Sequence, residues 1–357
     1  MLNSRNIEFL NRKSIVFEPI ELKIQQAKNL DFDIKNDILE KIDKIIGPQE
    51  VEWMQRNDEK DTVDYIVSRY KFKFYPKFKK ITSFPLHLLI EPVSFCNLSC
   101  VMCFQKDPFF KEKKNKGMID FYFFKDLVGQ AFENNCKALT LASRGEPGLH
   151  PQLGQMLEHC KGKFFELKIN MNASVLHEEL CYQILDSGVD IVVFSVDSSN
   201  KEEYQKIRKG GNFDTVVKNI RRFCKIKNSK KEYSKTSARI SGVYLGSQDK
   251  EKFYEFWEKI VDTIAFVPVI NRWDTYANKL IDSYQPCNLL WERMYVWFDG
   301  TCNPCDIDYK SYLSVGNAKN ALLKEIWLGE KYLHLRDQHI KGRRKLFVPC
   351  DRCSYYY

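Results

Sequence analysis

The chain has 357 residues with a hydrophobic content of 44%, an aromatic content of 14% and a formal net charge of +9 at pH 7. This length suffices for one large domain with an appendage or for two smaller domains. No apolar run is long enough to span a bilayer, and residues 1–6 lack the apolar core of a signal peptide, so we expect a cytoplasmic protein with no membrane partner. The twelve cysteines then indicate metal binding rather than a disulfide framework.

Residues 1–80 show helical spacing, for example over 36–46, and carry no recognisable chemistry. We therefore predict an N-terminal extension of unknown role over this range. Basic clusters such as residues 77–80 and 341–345 are typical of solvated surfaces, and they would also attract an anionic substrate. No basic motif interleaved with aromatic residues favours a nucleic-acid partner.

From about residue 85, short apolar and β-branched runs alternate with stretches of helical spacing. The six runs are 85–92, 138–142, 165–169, 191–196, 239–245 and 264–270. Strands that alternate with helices predict parallel βαβ units, so residues 81–275 are expected to form an α/β core, a partial (β/α)6 TIM-like barrel. Such barrels place their active sites at the C-terminal ends of the strands.

Cys96, Cys100 and Cys103 follow the first predicted strand with the spacing C-x3-C-x2-C. Three thiolates hold three irons of a cubic [4Fe–4S] cluster and leave the fourth iron open to a small molecule, whereas structural clusters and zinc sites close with four ligands. Zinc modules favour paired knuckles instead of this triplet. The arrangement resembles the signature of the radical S-adenosylmethionine (SAM) enzymes, in which the open iron binds SAM.

That resemblance implies further SAM contacts at the ends of the later strands. The segment 142–147 resembles the Gly-Gly-Glu-Pro element of the family, with Arg144 in place of the first glycine and with Gly145 and Glu146 next to the methionine amino group. The remaining candidates by resemblance are Asn172 after the third strand, Ser195 and Asp197 after the fourth, and Arg208 for the SAM carboxylate. Each of these could instead be an ordinary turn, capping or surface residue.

After residue 275 the alternation stops and cysteines return, which predicts a separate small metal-bearing domain over 276–357. Its opening, C-x12-G-x4-C, resembles that of the SPASM extension of radical SAM enzymes. The shorter version of that extension, called a twitch domain, binds one auxiliary [4Fe–4S] cluster, here with Cys287, Cys305, Cys350 and Cys353. Cys302 is left over, as a replacement ligand, a bystander or a hydrogen-atom donor.

The resemblance implies an enzyme that generates a 5′-deoxyadenosyl radical from SAM, with electrons from a flavodoxin- or ferredoxin-type donor. We expect oxidation or epimerisation of a carbohydrate or cyclitol-type small molecule, which could be phosphorylated or nucleotide-linked. Arg272 and Cys302 are the candidate catalytic residues. The alternatives are a radical SAM maturase that modifies a peptide and, from a different class, a non-catalytic zinc protein that binds nucleic acid.

Overall fold

The computed structural model describes residues 20–269 and 272–355. The chain divides into two compact units, the first ending at Ile81 and the second beginning at Thr82. Within the described ranges, no helix is both long and apolar enough to cross a bilayer. The N-terminal residues considered above for a signal peptide, and the last residue of the predicted strand 264–270, lie outside the described residues.

The first unit contains helices α1 (Phe32–Ile45), α2 (Pro48–Arg56) and α3 (Thr62–Phe74). Helix α1 begins where the Asp31 side chain accepts hydrogen bonds from two backbone N–H groups of its first turn. The buried Glu50 carboxylate pairs with Arg69 at 2.8 Å and with Lys73 at 2.9 Å, so a cluster of one anion and two cations joins α2 to α3. The helical spacing predicted for this region is therefore observed, while its role stays a prediction.

The second unit is built on one nine-stranded sheet with the order β11-β10-β9-β1-β3-β4-β5-β7-β8. Its strands are β1 (His87–Ile90), β3 (Ala138–Leu141), β4 (Glu166–Met171), β5 (Ile191–Ser195), β7 (Ser237–Tyr244), β8 (Thr263–Pro268), β9 (Arg293–Val296), β10 (Thr301–Asn303) and β11 (Gly316–Asn317). Six strands pair in parallel, in the order that the alternating pattern predicts: β1, β3, β4, β5, β7 and β8. The α/β, partial-barrel prediction is confirmed.

Helices connect the parallel strands and pack on the outer face of the sheet. They are α4 (Phe121–Glu133), α5 (Leu153–Cys160), α6 (Glu178–Asp186), α7 (Lys201–Ile207), α8 (Phe213–Lys227) and α9 (Lys250–Trp257), and the C-terminal region adds α10 (Leu289–Glu292), α11 (Leu323–Trp327) and α12 (Glu330–Ile340). Alternate strand residues such as Leu88, Ile169 and Phe194 belong to this outer core. The other residues of the strands face inward, and near the C-terminal ends they include Asn170 and Ser195, which line a cavity.

The predicted C-terminal domain shares its sheet with the barrel. Strand β9 pairs in parallel with β1, from His87 against Arg293 to Ile90 against Val296, and β10 and β11 extend the same sheet in antiparallel fashion. Because β1 pairs with β3 on one side and with β9 on the other, the C-terminal region continues the barrel sheet.

Candidate functional site

A cavity of about 260 Å³ lies at the C-terminal ends of the strands. The sequence-predicted residues that line it are Cys96, Cys100, Cys103, Gly145, Glu146, Asn172, Ser195, Arg208 and Arg272. The structure therefore gathers on one surface residues that are spread over some 175 positions of the chain.

The cysteine loop is fixed by a small antiparallel ribbon of β2 (Ser99–Cys100) and β6 (Arg208–Lys209). The ribbon pairs Cys100 with Arg208, so the guanidinium Nη1 lies 3.9 Å from the Cys100 Sγ. A cation at this distance stabilises a thiolate.

Backbone and side-chain N–H groups point at the other two sulfurs. The Leu98 N–H donates to the Cys96 Sγ at 3.4 Å, and the Asn172 side chain donates to the same sulfur at 3.7 Å. The Gln105 N–H donates to the Cys103 Sγ at 3.5 Å. Such donors suit the sulfurs of an iron–sulfur cluster.

Without a metal these thiols resist ionisation, because burial raises the pKa of Cys96 to about 12 and that of Cys100 to about 11. Metal binding deprotonates them. No three Cys, His, Asp or Glu side chains within the described part of the chain converge as a single metal ion would require. The donors around the sulfurs nevertheless fit a cluster in which each thiolate binds a different iron.

The loop after β3 packs directly on the cysteine loop. A Cβ atom on Gly145 would lie 2.2 Å from the Val93 carbonyl oxygen and 2.4 Å from that of Phe95, so only glycine permits this approach. The next residue, Glu146, is buried, and its carboxylate accepts hydrogen bonds from the N–H groups of Asn172 at 2.8 Å and Gly148 at 3.2 Å. Burial outweighs these bonds and raises the pKa of Glu146 to about 7.

One predicted SAM contact, Asp197, is arranged differently from the expectation. Asp197 is fully buried and does not line the cavity; its carboxylate pairs with the Arg208 Nε at 2.7 Å and accepts the Val243 N–H at 2.8 Å. Asp197 therefore orients Arg208 behind the cavity wall. Ser195, two residues earlier and the last residue of β5, does line the cavity.

One carboxylate of the cavity lining, Asp306, was not predicted from the sequence. Asp306 lines the cavity, where its carboxylate pairs with the Arg272 Nη1 at 2.7 Å and accepts the Tyr295 hydroxyl at 3.3 Å. Asp306 directly follows Cys305, and that adjacency was the available signal. Burial, reinforced by the negative charge of Asp306, raises the pKa of Tyr295 well above its ordinary value.

The four predicted auxiliary cysteines lie close to one another. Burial and the electrostatic influence of Cys287, Cys350 and Cys353 together raise the pKa of the Cys305 thiol well above its ordinary value. The buried Arg344 holds the last pair, because its guanidinium donates to the carbonyl oxygens of Cys350 at 3.0 Å and Cys353 at 2.7 Å. Four mutually influencing thiols fit a cluster with no open iron.

Cys302 is not part of either group. It lies on β10 directly opposite Val296 of β9, and paired residues point to the same face of a sheet. That face is the outer core, where the thiol is fully buried and donates to the Gly300 carbonyl oxygen at 3.5 Å. The catalytic role predicted for Cys302 has no support in this placement, because the strand alternation turns the thiol away from the cavity.

Family models agree with this organisation. Residues 90–255 match the model of the radical SAM superfamily, and residues 287–354 match that of SPASM, an iron–sulfur cluster-binding domain. Together the two descriptions support SAM and iron–sulfur clusters as cofactors and do not support the zinc alternative.

Curated relatives match part of the chain. The tungsten-containing aldehyde ferredoxin oxidoreductase cofactor-modifying protein of Pyrococcus furiosus is 31% identical over 112 residues, covering 31% of this chain and 30% of the relative. A probable GTP 3′,8-cyclase of Methanococcus maripaludis is 27% identical over 143 residues, covering 40% of this chain and 45% of the relative. The chain thus spans less than half the length of these two relatives.

Solved structures share the fold over a longer range. BtrN in complex with AdoMet and 2-DOIA has a TM-score of 0.51 at 18% identity, covering 75% of this chain and 92% of BtrN. SuiB of Streptococcus suis has a TM-score of 0.55 at 16% identity, covering 89% of this chain and 82% of SuiB. At these identities the likeness establishes the fold and not the reaction.

Proposed function

Because the chain belongs to the radical SAM superfamily and carries an iron–sulfur cluster-binding domain, we propose that it oxidises a carbohydrate or cyclitol-type substrate by dehydrogenation. When bound, SAM and the first cluster supply a 5′-deoxyadenosyl radical that takes a hydrogen atom from carbon, and the second cluster supplies an acceptor for the electron that the substrate then loses. The observation that carries the proposal is that Asp306 lines the cavity and directly follows Cys305 in the chain.

The polar groups of the cavity indicate where SAM would bind. Cys96, Cys100 and Cys103 would hold the first cluster, and Glu146 would accept a hydrogen bond from the amino group of SAM. Arg208 is oriented by Asp197 and lines the same wall. These residues fix SAM in one orientation, which is what hydrogen abstraction from a single carbon requires.

Dehydrogenation of an alcohol releases one hydrogen atom from carbon, one proton from the hydroxyl group and one electron. We assign the proton to the Asp306 carboxylate, with Arg272 at 2.7 Å holding it in place. Epimerisation would instead need a hydrogen-atom donor at the cavity. Of the described cysteines, those that line the cavity are the three of the first cluster, and Cys302 faces the outer core.

The polarity of the cavity favours a hydroxylated substrate, since Gln105, Asn170, Tyr295 and Asp306 supply hydrogen-bonding groups to its lining. One observation supports a peptide instead. Strand β8 is the outer edge of the sheet, with Val267 46% exposed, and an exposed edge strand can pair with an extended peptide.

The electron donor has a candidate docking surface. The segment 104–117 leaves the cysteine loop at Cys103 and returns to it, since Gly117 donates its N–H to the Ser94 Oγ at 2.8 Å. Its five lysines are exposed, at positions 106, 111, 113, 114 and 116. A basic surface beside the first cluster suits an acidic flavodoxin- or ferredoxin-type protein.

The test uses the reconstituted protein with a reductant, SAM and a panel of sugars, cyclitols and peptides. We expect 5′-deoxyadenosine to form and one sugar or cyclitol to lose two hydrogens. Cys100→Ala should abolish 5′-deoxyadenosine, whereas Cys305→Ala should lose about half of roughly eight irons and keep SAM cleavage without oxidised product. A product of unchanged mass that carries one solvent deuterium would establish epimerisation, and a modified peptide would establish the maturase alternative.

The proton acceptor is tested separately. Asp306→Asn should leave 5′-deoxyadenosine formation intact and slow the appearance of oxidised product by about 10²- to 10⁴-fold, the range for a lost general base. Product formation at the wild-type rate in this variant would exclude Asp306 as the proton acceptor.

A further inference from the structure

Glu91 and Arg144 form a buried ion pair next to the cavity that the reaction itself does not require. The Arg144 Nε and Nη2 lie 2.7 Å from the two Glu91 carboxylate oxygens, and the exposed fractions are 0% for Glu91 and 5% for Arg144. This two-bond arrangement fixes both side chains in one plane. Glu91 follows the end of β1, and Arg144 occupies the position of the family's first glycine.

Most remaining contacts of the pair come from the C-terminal region, and the Arg144 guanidinium also lies 5.8 Å from the centre of the Phe110 ring. The Arg144 Nη1 donates to the Tyr309 carbonyl oxygen at 3.1 Å, and its guanidinium lies 4.4 Å from the centre of a Trp297 ring. The Glu91 Oε2 accepts the Phe298 N–H at 3.2 Å. Trp297 belongs to a small apolar cluster against which Cys305 packs. The side chains of the pair are therefore held by the region that carries the auxiliary cysteines.

The backbone carbonyl group of Arg144 is held from the side of the cysteine loop. The Gln105 side chain donates both to the Arg144 carbonyl oxygen and, at 2.8 Å, to that of Ser94 in the cysteine loop. Ser143, directly before Arg144, has φ at 129°, a conformation that persists only where surrounding contacts impose it. Within the described residues, the buried Ser143 Oγ has no hydrogen-bond partner, and Ser143 lines the cavity.

We propose that Glu91 and Arg144 are positioning residues that set the SAM-binding loop against the region of the auxiliary cluster. The inference rests on the proposed function only in taking the two cysteine sets as cluster sites. Stability alone gives no reason for such a pair, because desolvation of two buried charges costs several kcal/mol per ion and apolar replacements are often as stable. What the ion pair adds is a fixed geometry between Arg144 of the loop, the ends of β1 and β9, and the segment at Tyr309.

The test replaces both partners together, so that no unpaired charge is buried. Glu91→Met with Arg144→Met should retain both clusters, by iron content and by the spectra of the reduced protein. We expect SAM to bind at least about tenfold more weakly, since binding then has to fix a loop that the pair no longer holds. Pulsed electron paramagnetic resonance of the reduced protein with SAM should show a shifted or broadened magnetic interaction between the two clusters.

A matched control removes an ion pair elsewhere in the same unit. The Lys227 Nζ contacts the two Asp262 carboxylate oxygens at 2.9 and 2.8 Å, and neither residue lines the cavity. Lys227→Met with Asp262→Asn should lower the melting temperature and leave SAM affinity and the intercluster interaction as in the wild type. A merely structural role of Glu91 and Arg144 would give the same pattern as this control.

Wild-type SAM affinity together with an unchanged intercluster interaction in the double methionine variant would overturn the inference. If that variant fails to assemble its clusters, Arg144→Lys, which keeps the charge and loses the two-bond geometry, should show a smaller loss of SAM affinity, and no loss would equally overturn it. Failure of the wild type to form 5′-deoxyadenosine would instead refute the proposed function.

Discussion

At the scale of single residues, Glu146 makes SAM binding depend on pH. Burial raises its pKa from the ordinary 4.5 to about 7, so the SAM-free protein holds a proton that the unfolded chain releases. That contribution to stability is present below pH 4.5 and is lost as the pH rises through 7. The ionised carboxylate is the better acceptor for the SAM amino group, so SAM should bind about tenfold more tightly at pH 8 than at pH 6. Dissociation constants for the wild type and for Glu146→Gln check this, since the variant should lose the dependence.

Gly145 is a residue whose replacement tests the contact between two loops. In Gly145→Ala the new methyl group would lie within 2.4 Å of two carbonyl oxygens of the cysteine loop, and overpacking of this kind costs about 1–3 kcal/mol. We expect a lower melting temperature and a lower iron content at the first site. Gly129→Ala in α4 is the control, because nothing lies within 4 Å of its Cβ position and alanine favours a helix by about 1 kcal/mol. Equal stability of the two variants would show that the loops separate easily.

At the scale of elements, the lysine-rich segment 104–117 predicts a reduction rate that depends on salt. Charge reversal at Lys111, Lys113 and Lys116 should slow reduction by a flavodoxin at least about tenfold at low ionic strength, because steering by surface charge is lost. Reduction by dithionite should not change. The difference should shrink as salt shortens the Debye length below about 10 Å. Stopped-flow absorbance at the cluster bands measures both rates.

A second lysine group provides the control for that experiment. Lys225, Lys230 and Lys231 are exposed near the end of α8, which leads into the N-terminal end of β7. That end of the sheet is opposite the cysteine loop. Their reversal changes the net charge equally, and an equal loss of rate would mean that total charge and not the segment 104–117 attracts the donor.

The positions of the strands also explain which residues of the site could be predicted from the sequence. The cysteine triplet and Glu146 were predictable because each directly follows a strand, and parallel strands end at one edge. Arg144 could be noticed as a departure from the family pattern, but its partner Glu91 lies 53 positions earlier in the chain. Which face of the sheet Cys302 occupies depends on how β10 pairs with β9. The sequence does not give that pairing.

At the scale of the whole molecule, local sequence patterns predicted the six parallel strands but did not predict the pairing of β9 with β1. The six alternating runs indicate βαβ units because their period and spacing are local properties. The pairing of β9 with β1 joins residues about 200 positions apart in the chain, and strand pairing at such separations leaves no local signal. The cysteine spacing predicted the metal chemistry of the auxiliary region. It did not predict that this region extends the barrel sheet, because that pairing is seen only in the three-dimensional structure.

The continuous sheet predicts that the C-terminal region and the barrel unfold together. Strand β1 lies between β3 and β9, whereas β8 is an outer edge with Val267 46% exposed. In native-state hydrogen exchange, amides of β1 and β9 should therefore exchange last and at one common rate, and those of β8 should exchange at least about 10²-fold faster. Cys305→Ala, which removes the auxiliary cluster, should accelerate β1 and β9 alike because they share hydrogen bonds along His87–Ile90. Acceleration of β9 alone would mean that the C-terminal region opens independently of the barrel.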